Sequence, residues 1–177
     1  MLTIDLLRHG ETDADKASLF GATDVPLSDH GKAQLQAAFS EINKEHITHI
    51  VSSPLQRCSW LSKQSSKSIT ATFEPLFKEM DFGDWEGRNI QSLIEQETNF
   101  QHDISKLSPP NGEDFFTFSN RIHSAWEIYT NQHLKQGGHH LLVTHGGVIR
   151  ILLALILHIP DQHIGSLYVP HASWSRI

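Results

Sequence analysis

Apolar positions along this chain fall into short runs and helical stripes. Residues 2–7, 49–52 and 140–144 form brief aliphatic runs and predict strands, and residues 69–73 alternate apolar with polar and predict another. Behind Ser28, a residue type that caps helices, Leu35, Ala38, Phe39 and Ile42 recur at helical spacing. Further helices are expected over about 55–67 and, with a weaker pattern, 90–100. A long one starts near Glu113, with Phe115, Phe118, Ile122, Ala125 and Tyr129 on one stripe. Pro109-Pro110 and Asn111-Gly112 break the chain before that helix, and Gly137-Gly138 ends it. The stretch VIRILLALILHI from Val148 reads as a buried helix, since it is too short for a bilayer and carries Arg150 and His158. Residues 167–169 and 173–177 predict two short end strands. Strands alternating with helices imply an α/β fold with a largely parallel sheet and helices on both faces. Residues 86–112 look like an insertion able to cap a site.

Composition narrows the class. A chain of 177 residues suits one domain, and 38% hydrophobic with 19% charged residues makes a globular fold the default. The net charge of −6 argues against a nucleic-acid partner, which a basic surface would serve. A small anionic substrate stays open, because two local arginines can outweigh a mild global charge. The lone Cys58 permits no internal disulfide. No basic segment leads into a long apolar run at the N-terminus, so neither a signal peptide nor a membrane span is expected, and the cytoplasm is the expected location. The thirteen histidines are scattered without metal-ligand spacing, so no metal is expected.

Ligands of open α/β sheets bind beyond the carboxyl ends of the strands. Arg8-His9-Gly10 follows the first strand. Ser52-Ser53-Pro54 follows the second, with Arg57 one turn into the next helix. Thr144-His145-Gly146-Gly147 follows the run at 140–144. The loop at 77–89 adds Glu79, Asp81, Asp84 and Glu86 as carboxylates, and the pattern alone does not choose among them. Two histidines, two arginines, helix-start amides and a carboxylate suit phosphoryl transfer. Arginine forks match phosphate oxygens, and glycine admits an anion to backbone N–H groups. A neutral imidazole can accept a phosphoryl group, a second and protonated histidine would stabilise the transferring charge, and a carboxylic acid can protonate the leaving oxygen. Rival chemistries fail on the string. Gln64 stands where a cysteine phosphatase needs arginine, and there is neither a G-x-x-x-x-G-K-[ST] loop nor a G-x-S-x-G elbow.

Four blocks in order, LLRHGET at 6–12, SSPLQRC at 52–58, EMDFGDWEG at 79–87 and VTHGGVIR at 143–150, resemble the histidine phosphatase superfamily, which includes the phosphoglycerate mutases. TDVPLSDHGKAQ at 23–34 is a further match. The resemblance implies a three-layer α/β/α sandwich, one domain over 1–177 with a cap-like insertion at about 86–120, and a phosphohistidine mechanism without metal or cofactor. It implies His9 as nucleophile, with Arg8, Arg57 and His145 in the phosphate pocket and Glu79 as proton donor. Gly10, Thr12, Gly21 and the Gly146 amide would lie at the pocket, and Asp15 stands where the family usually has asparagine. Within the family, LFKEMDFGDWEGR and PPNGEDFFTFSNR look most like the alpha-ribazole-5′-phosphate phosphatases of cobalamin synthesis. Broad-specificity phosphatases, phosphoglycerate mutases and a non-enzymatic phosphate-binding domain are the alternatives. The expected partner is a small phosphorylated metabolite, with neither nucleic acid nor membrane, and a homodimer stays open.

Overall fold

The computed structural model describes residues 1–42, 46–65, 68–96 and 103–177. Its strands are β1 (Leu2–Arg8), β2 (His49–Ser52), β3 (Thr70–Phe73), β4 (Gly138–Thr144) and β5 (Trp174–Arg176), in one sheet of order β3-β2-β4-β1-β5. The β1–β4, β4–β2 and β2–β3 pairs are parallel, and β5 runs antiparallel along β1. The helices are α1 (Asp29–Ile42), α2 (Gln56–Gln64), α3 (Ile90–Gln96), α4 (Phe115–His133) and α5 (Gly146–Leu157).

Successive strand residues face opposite ways, and each face has its own core. Leu7, Ile50, Leu141 and Val143 pack with Leu35 and Ile42 of α1 and with Cys58 and Leu61 of α2. Ile4, Leu6, Val51 and Leu142 pack with Phe118 and Ile122 of α4 and with Ile149 and Leu152 of α5. The sheet is thus sandwiched between two helical layers. A strand covered on both sides reads as a near-continuous apolar run, which is why β1 and β4 were legible. The predicted stripe of α4 is the face it buries.

Asp5 interrupts the β1 run and is fully buried. Arg176 grips it through two hydrogen bonds of 2.9 and 3.0 Å, and His139 Nε2 lies 2.6 Å from its second oxygen. This buried acid ties β5 and β4 to the strand that ends in the site. A second tie joins the turn after β1 to α1. A Cβ on Gly10 would lie 2.1 Å from the Gly31 carbonyl oxygen, and one on Gly31 would lie 1.9 Å from that of Glu11. The two backbones touch, so both positions require glycine. Ser28 caps α1 as expected, accepting from the Gly31 amide at 3.0 Å.

Several expectations need correction. Residues 167–169 form no strand; Leu167 closes a 3-10 turn over Asp161–Ser166 and the chain then takes no regular structure up to residue 170. The helix expected over 55–67 spans Gln56–Gln64, and Lys67 lies outside the described residues. The helix expected over 90–100 spans Ile90–Gln96, and Phe100 also lies outside them. The strand expected over 69–73 is present as β3, and because all four of its residues are exposed, its ladder with β2 is what holds it. No helix among the described residues is long and apolar enough to cross a membrane.

At the amino ends of β2 and β4, remote from the turns that follow the strands, three histidines meet. The His140 ring centre lies 5.2 Å from that of His49 and 4.9 Å from that of His133, and its Nδ1 is 2.7 Å from the Tyr129 hydroxyl. Burial first, then the neighbouring histidines, pulls His140 down to about 4 from the ordinary 6.5. The unfolded chain therefore binds a proton in this window that the folded chain does not. Stability is complete above about pH 6.5 and is lost as pH falls towards 4. We expect the thermal midpoint to drop by several degrees from pH 7 to pH 5, and His140→Gln to shrink that drop. An equal drop in the variant would show that His140 titrates alike in both states.

Candidate active site

The turns at the carboxyl ends of β1, β2 and β4 bring the predicted groups together. His9 follows β1 and is 7% exposed. Its Nδ1 lies 2.7 Å from the Gly10 carbonyl oxygen, which can only accept, so Nδ1 carries the proton and Nε2 keeps its lone pair. Burial above all, then the Arg57 charge, holds the ring well below the ordinary 6.5, so it is neutral.

Arg57 enters from the first turn of α2 and is almost wholly buried. Its Nη2 donates to the Gly21 carbonyl at 2.5 Å, its Nη1 to the Thr23 carbonyl at 2.8 Å and its Nε to His145 Nδ1 at 3.3 Å. His145 caps α5 from the end of β4, with its ring centre 5.3 Å from that of His9. Because Nδ1 accepts from Arg57, the proton sits on Nε2, which donates to Ser53 Oγ at 2.8 Å. The expectation of a protonated second histidine is thereby overturned. Burial and then the Arg57 charge keep His145 far below 6.5, and it acts as an acceptor that orients Arg57.

Glu79 reaches the start of α5. Its Oε2 accepts from the Gly147 amide at 3.0 Å and its Oε1 from the Met80 amide at 3.1 Å. A Cβ on Gly147 would lie 2.3 Å from that carboxylate, so this glycine makes room for the acid. Arg121 of α4 holds the strand of chain beneath, donating to the carbonyls of Leu76, Lys78 and Glu79 while paired with Glu113 at 2.7 Å.

Two neighbouring cavities share these groups. One, of about 290 Å³, is lined by Arg8, His9, Thr12, Asp15, Arg57 and Glu79, with Glu11, Lys16 and His171 at its wall. The other, of about 350 Å³, is mostly apolar and meets the first at Arg8 and Glu79. Gly146 lines the apolar cavity, whereas Gly10, Gly21 and His145 line neither. Gly10 serves the contact with Gly31, and Gly21 serves Arg57 through its carbonyl. Asp15 is turned onto its own loop, accepting from Ser18 Oγ at 2.7 Å and from the Ala17 amide at 3.2 Å. The Ser18 hydroxyl, then that amide, lowers its carboxyl below the usual range.

Three participants escaped the sequence reading. His171 lies 3.0 Å from Arg8 Nη2, its ring centre 5.4 Å from that of His9, and burial followed by the Arg8 charge lowers it to about 4. It sits in a segment with no motif to mark it. Ser53 stood in a recognised block but had no role until it was seen against His145. In the sequence, Glu86 is one of four loop carboxylates and a rival to Glu79 as the acid. Its carboxylate accepts from the amides of Gly21, Ala22, Thr23 and Phe82 at 2.8–3.3 Å. Glu86 therefore fixes the loop whose carbonyls hold Arg57, and geometry separates it from Glu79. Among the described residues, no group of three or more metal-ligating side chains is placed to hold a metal.

A family model for the histidine phosphatase superfamily (branch 1) matches residues 4–177. The chain belongs to that superfamily. A relative from Escherichia fergusonii named "Probable phosphoglycerate mutase GpmB" is 32% identical over 184 aligned positions, covering 100% of this chain and 85% of the relative. The solved alpha-ribazole phosphatase of Shigella flexneri is 26% identical with a TM-score of 0.86, over 99% of this chain and 89% of that one. YhfR of Bacillus stearothermophilus is 25% identical with a TM-score of 0.89, over 99% and 90%. The five-stranded, mostly parallel sheet between helical layers is the fold that the superfamily resemblance implied.

If Glu86 orders the Gly21–Thr23 loop, Glu86→Gln should lower turnover roughly 10- to 100-fold, the scale of a small misplacement of catalytic groups. Turnover equal to wild type in a folded Glu86→Gln protein would show that the loop holds Arg57 without this carboxylate.

Proposed function

We propose that the chain is a phosphomonoesterase that works through a phosphohistidine on His9. The observation that carries this reading is Arg57. Its buried cation has two carbonyls and an imidazole for acceptors, and among the described residues it pairs with no carboxylate. A phosphoryl group beside it would supply the missing negative charge. Family membership and the phosphatase among its structural relatives support a phosphatase-type hydrolase.

In the first step the His9 Nε2 lone pair attacks phosphorus. The N–P bond forms, the ester P–O bond breaks, and the leaving alkoxide takes a proton from Glu79. In the second step water attacks the phosphohistidine, Glu79 takes the water proton, and the N–P bond breaks to release inorganic phosphate. The Gly10 carbonyl steadies His9 through Nδ1 as charge builds on the ring, and Arg57 and Arg8 offset the charge on the phosphoryl oxygens. Positive charge comes from the arginines, so the scheme requires no metal or cofactor.

For the substrate we favour an alpha-ribazole-type 5′-phosphate, a ribose phosphate carrying an aromatic base. The aromatic walls beside Glu79, including Phe82, Phe115 and Phe118, suit a flat base, and the Shigella relative is named for that activity. A phosphoglycerate mutase is the second reading, favoured by the name of the 32% identical relative. The cavity's size speaks against it, because a three-carbon acid fills little of 350 Å³.

His9→Ala should abolish phosphate release, a loss beyond about 10³-fold, while EDTA leaves the wild-type rate unchanged. Retained activity in the variant would remove His9 as nucleophile, and transfer of phosphate between the hydroxyls of phosphoglycerate would favour the mutase. Because His9 is held well below 6.5, it stays unprotonated at mildly acid pH. We therefore expect kcat/KM, corrected for substrate ionisation, to hold at pH 6 and to fall only at lower pH. An acid limb centred at 6.5 would contradict a buried, neutral nucleophile.

A further inference from the structure

Arg150 lies one turn into α5, on the wall of the apolar cavity. Around it the wall is Phe20, Phe82, Phe115, Phe118, Ile104 and Ile164. Arginine on an apolar wall needs a reason, since its half-buried charge gives up part of its hydration there. Its Nε donates to the Leu167 carbonyl at 2.8 Å, which fixes the plane of the guanidinium. Its two terminal nitrogens have no hydrogen-bond partner among the described residues.

Charge balance points the same way. Three charged residues line this cavity: Arg8, Arg150 and Glu79. Arg8 and Arg150 flank the same backbone position, for a Cβ on Gly146 would lie 3.4 Å from Arg8 Nε and 3.4 Å from Arg150 Nη1. Both oxygens of Glu79 already accept backbone amides. The cavity therefore holds a surplus of positive charge and of hydrogen-bond donors, and the amino end of α5 adds to it. Its 350 Å³ exceeds the roughly 150 Å³ that admits benzene, so a fused or substituted ring fits.

We propose that this cavity is the site for the alcohol half of the substrate, and that Arg150 selects phosphomonoesters whose largely apolar ring carries a hydrogen-bond acceptor. The proposal rests on the phosphatase reading for its placement next to Glu79. The acceptor is a ring nitrogen or a carboxylate, and the fixed guanidinium meets either with its free N–H groups. Arg150 is then a specificity residue and takes no part in bond breaking.

The test compares wild type with Arg150→Met on 1-naphthyl phosphate, a quinolinyl phosphate and a carboxynaphthyl phosphate. The ratio of wild-type to variant kcat/KM on each ester cancels the intrinsic reactivity of its leaving group. That ratio should be at least about 10-fold larger for the two acceptor-bearing esters than for 1-naphthyl phosphate. The larger of the two tells whether the acceptor is neutral or anionic. Equal ratios on all three esters overturn the proposal. Binding of the free alcohols, measured by calorimetry, reads the cavity without chemistry. Hydroxyquinoline or hydroxynaphthoate should bind wild type more tightly than naphthol does, and Arg150→Met should erase that preference. No preference in wild type also overturns the proposal. Should no ester be hydrolysed, the phosphatase reading falls, and the binding comparison still decides the role of Arg150. Arg150→Gln replaces the methionine variant if the latter fails to fold.

Discussion

One buried cation sets the requirements that the surrounding structure meets. Arg57 is 1% exposed, and a guanidinium so far from water needs every available acceptor turned towards it. The protein supplies neutral ones: the carbonyls of Gly21 and Thr23 and the Nδ1 of His145. Each acceptor needs support of its own. Glu86 fixes the Gly21–Thr23 loop through three of its amides and also takes the Phe82 amide, and Ser53 Oγ accepts from His145 Nε2 to hold the ring in place. Replacing these neutral acceptors with a carboxylate would satisfy Arg57 better in isolation. It would also fill the charge deficit that, on the proposed function, an oxyanion meets. The arrangement leaves the cation solvated by dipoles yet unneutralised, which preorganises it for a charged guest.

The sheet makes this affordable in backbone terms. Parallel strands end at one edge, so three turns converge without long loops. β1 delivers Arg8 and His9, β2 leads into α2 and Arg57, and β4 delivers His145. The turn after β1 must lie flat on α1, and two facing glycines permit that contact. Asp5, held by Arg176 and His139, pins the same strand at its middle. His9 thus stands at the end of a strand tied at both places, with little freedom to drift from Arg57.

Much of this was legible along the chain because its causes are local. Buried strands announce themselves as apolar runs, and the stripe of α4 follows from helical spacing. Arg8, His9, Arg57 and His145 were found because they follow such runs. What was hidden depends on contacts between distant segments. Spacing alone does not tell which of Glu79 and Glu86 faces a cavity, since both lie in one acidic loop, and only the resemblance of the EMDFGDWEG block pointed to Glu79. Gly10 looked like room for an anion, but its partner Gly31 is on another element. His171 has no motif beside it, and only the packed fold brings it to Arg8. Residues 167–169 read as a strand because Leu167-Tyr168-Val169 is a short apolar run, yet only Val169 is buried and, among the described residues, no strand lies beside it to pair.

The division of the site into two cavities bears on why hydrolysis should follow phosphoryl capture. Glu79 sits on their boundary and lines both. On the proposed scheme it must first meet an alcohol oxygen and then a water molecule. An alcohol half seated in the apolar cavity excludes water from the carboxyl during the first step, so the proton goes to the leaving oxygen. When that alcohol departs, the same boundary opens to solvent from the apolar side, and water reaches the carboxylate beside the phosphohistidine. A mutase needs the opposite: a second hydroxyl of the same substrate must stay in place and water must stay out. A three-carbon acid fills little of a mostly apolar 350 Å³ cavity, so even with its carboxylate on Arg150 it is not packed in place through that interval. On the proposed scheme the geometry around Glu79 therefore favours release to water, through the shape of the apolar cavity beside it rather than through the cavity that holds His9 and Arg57.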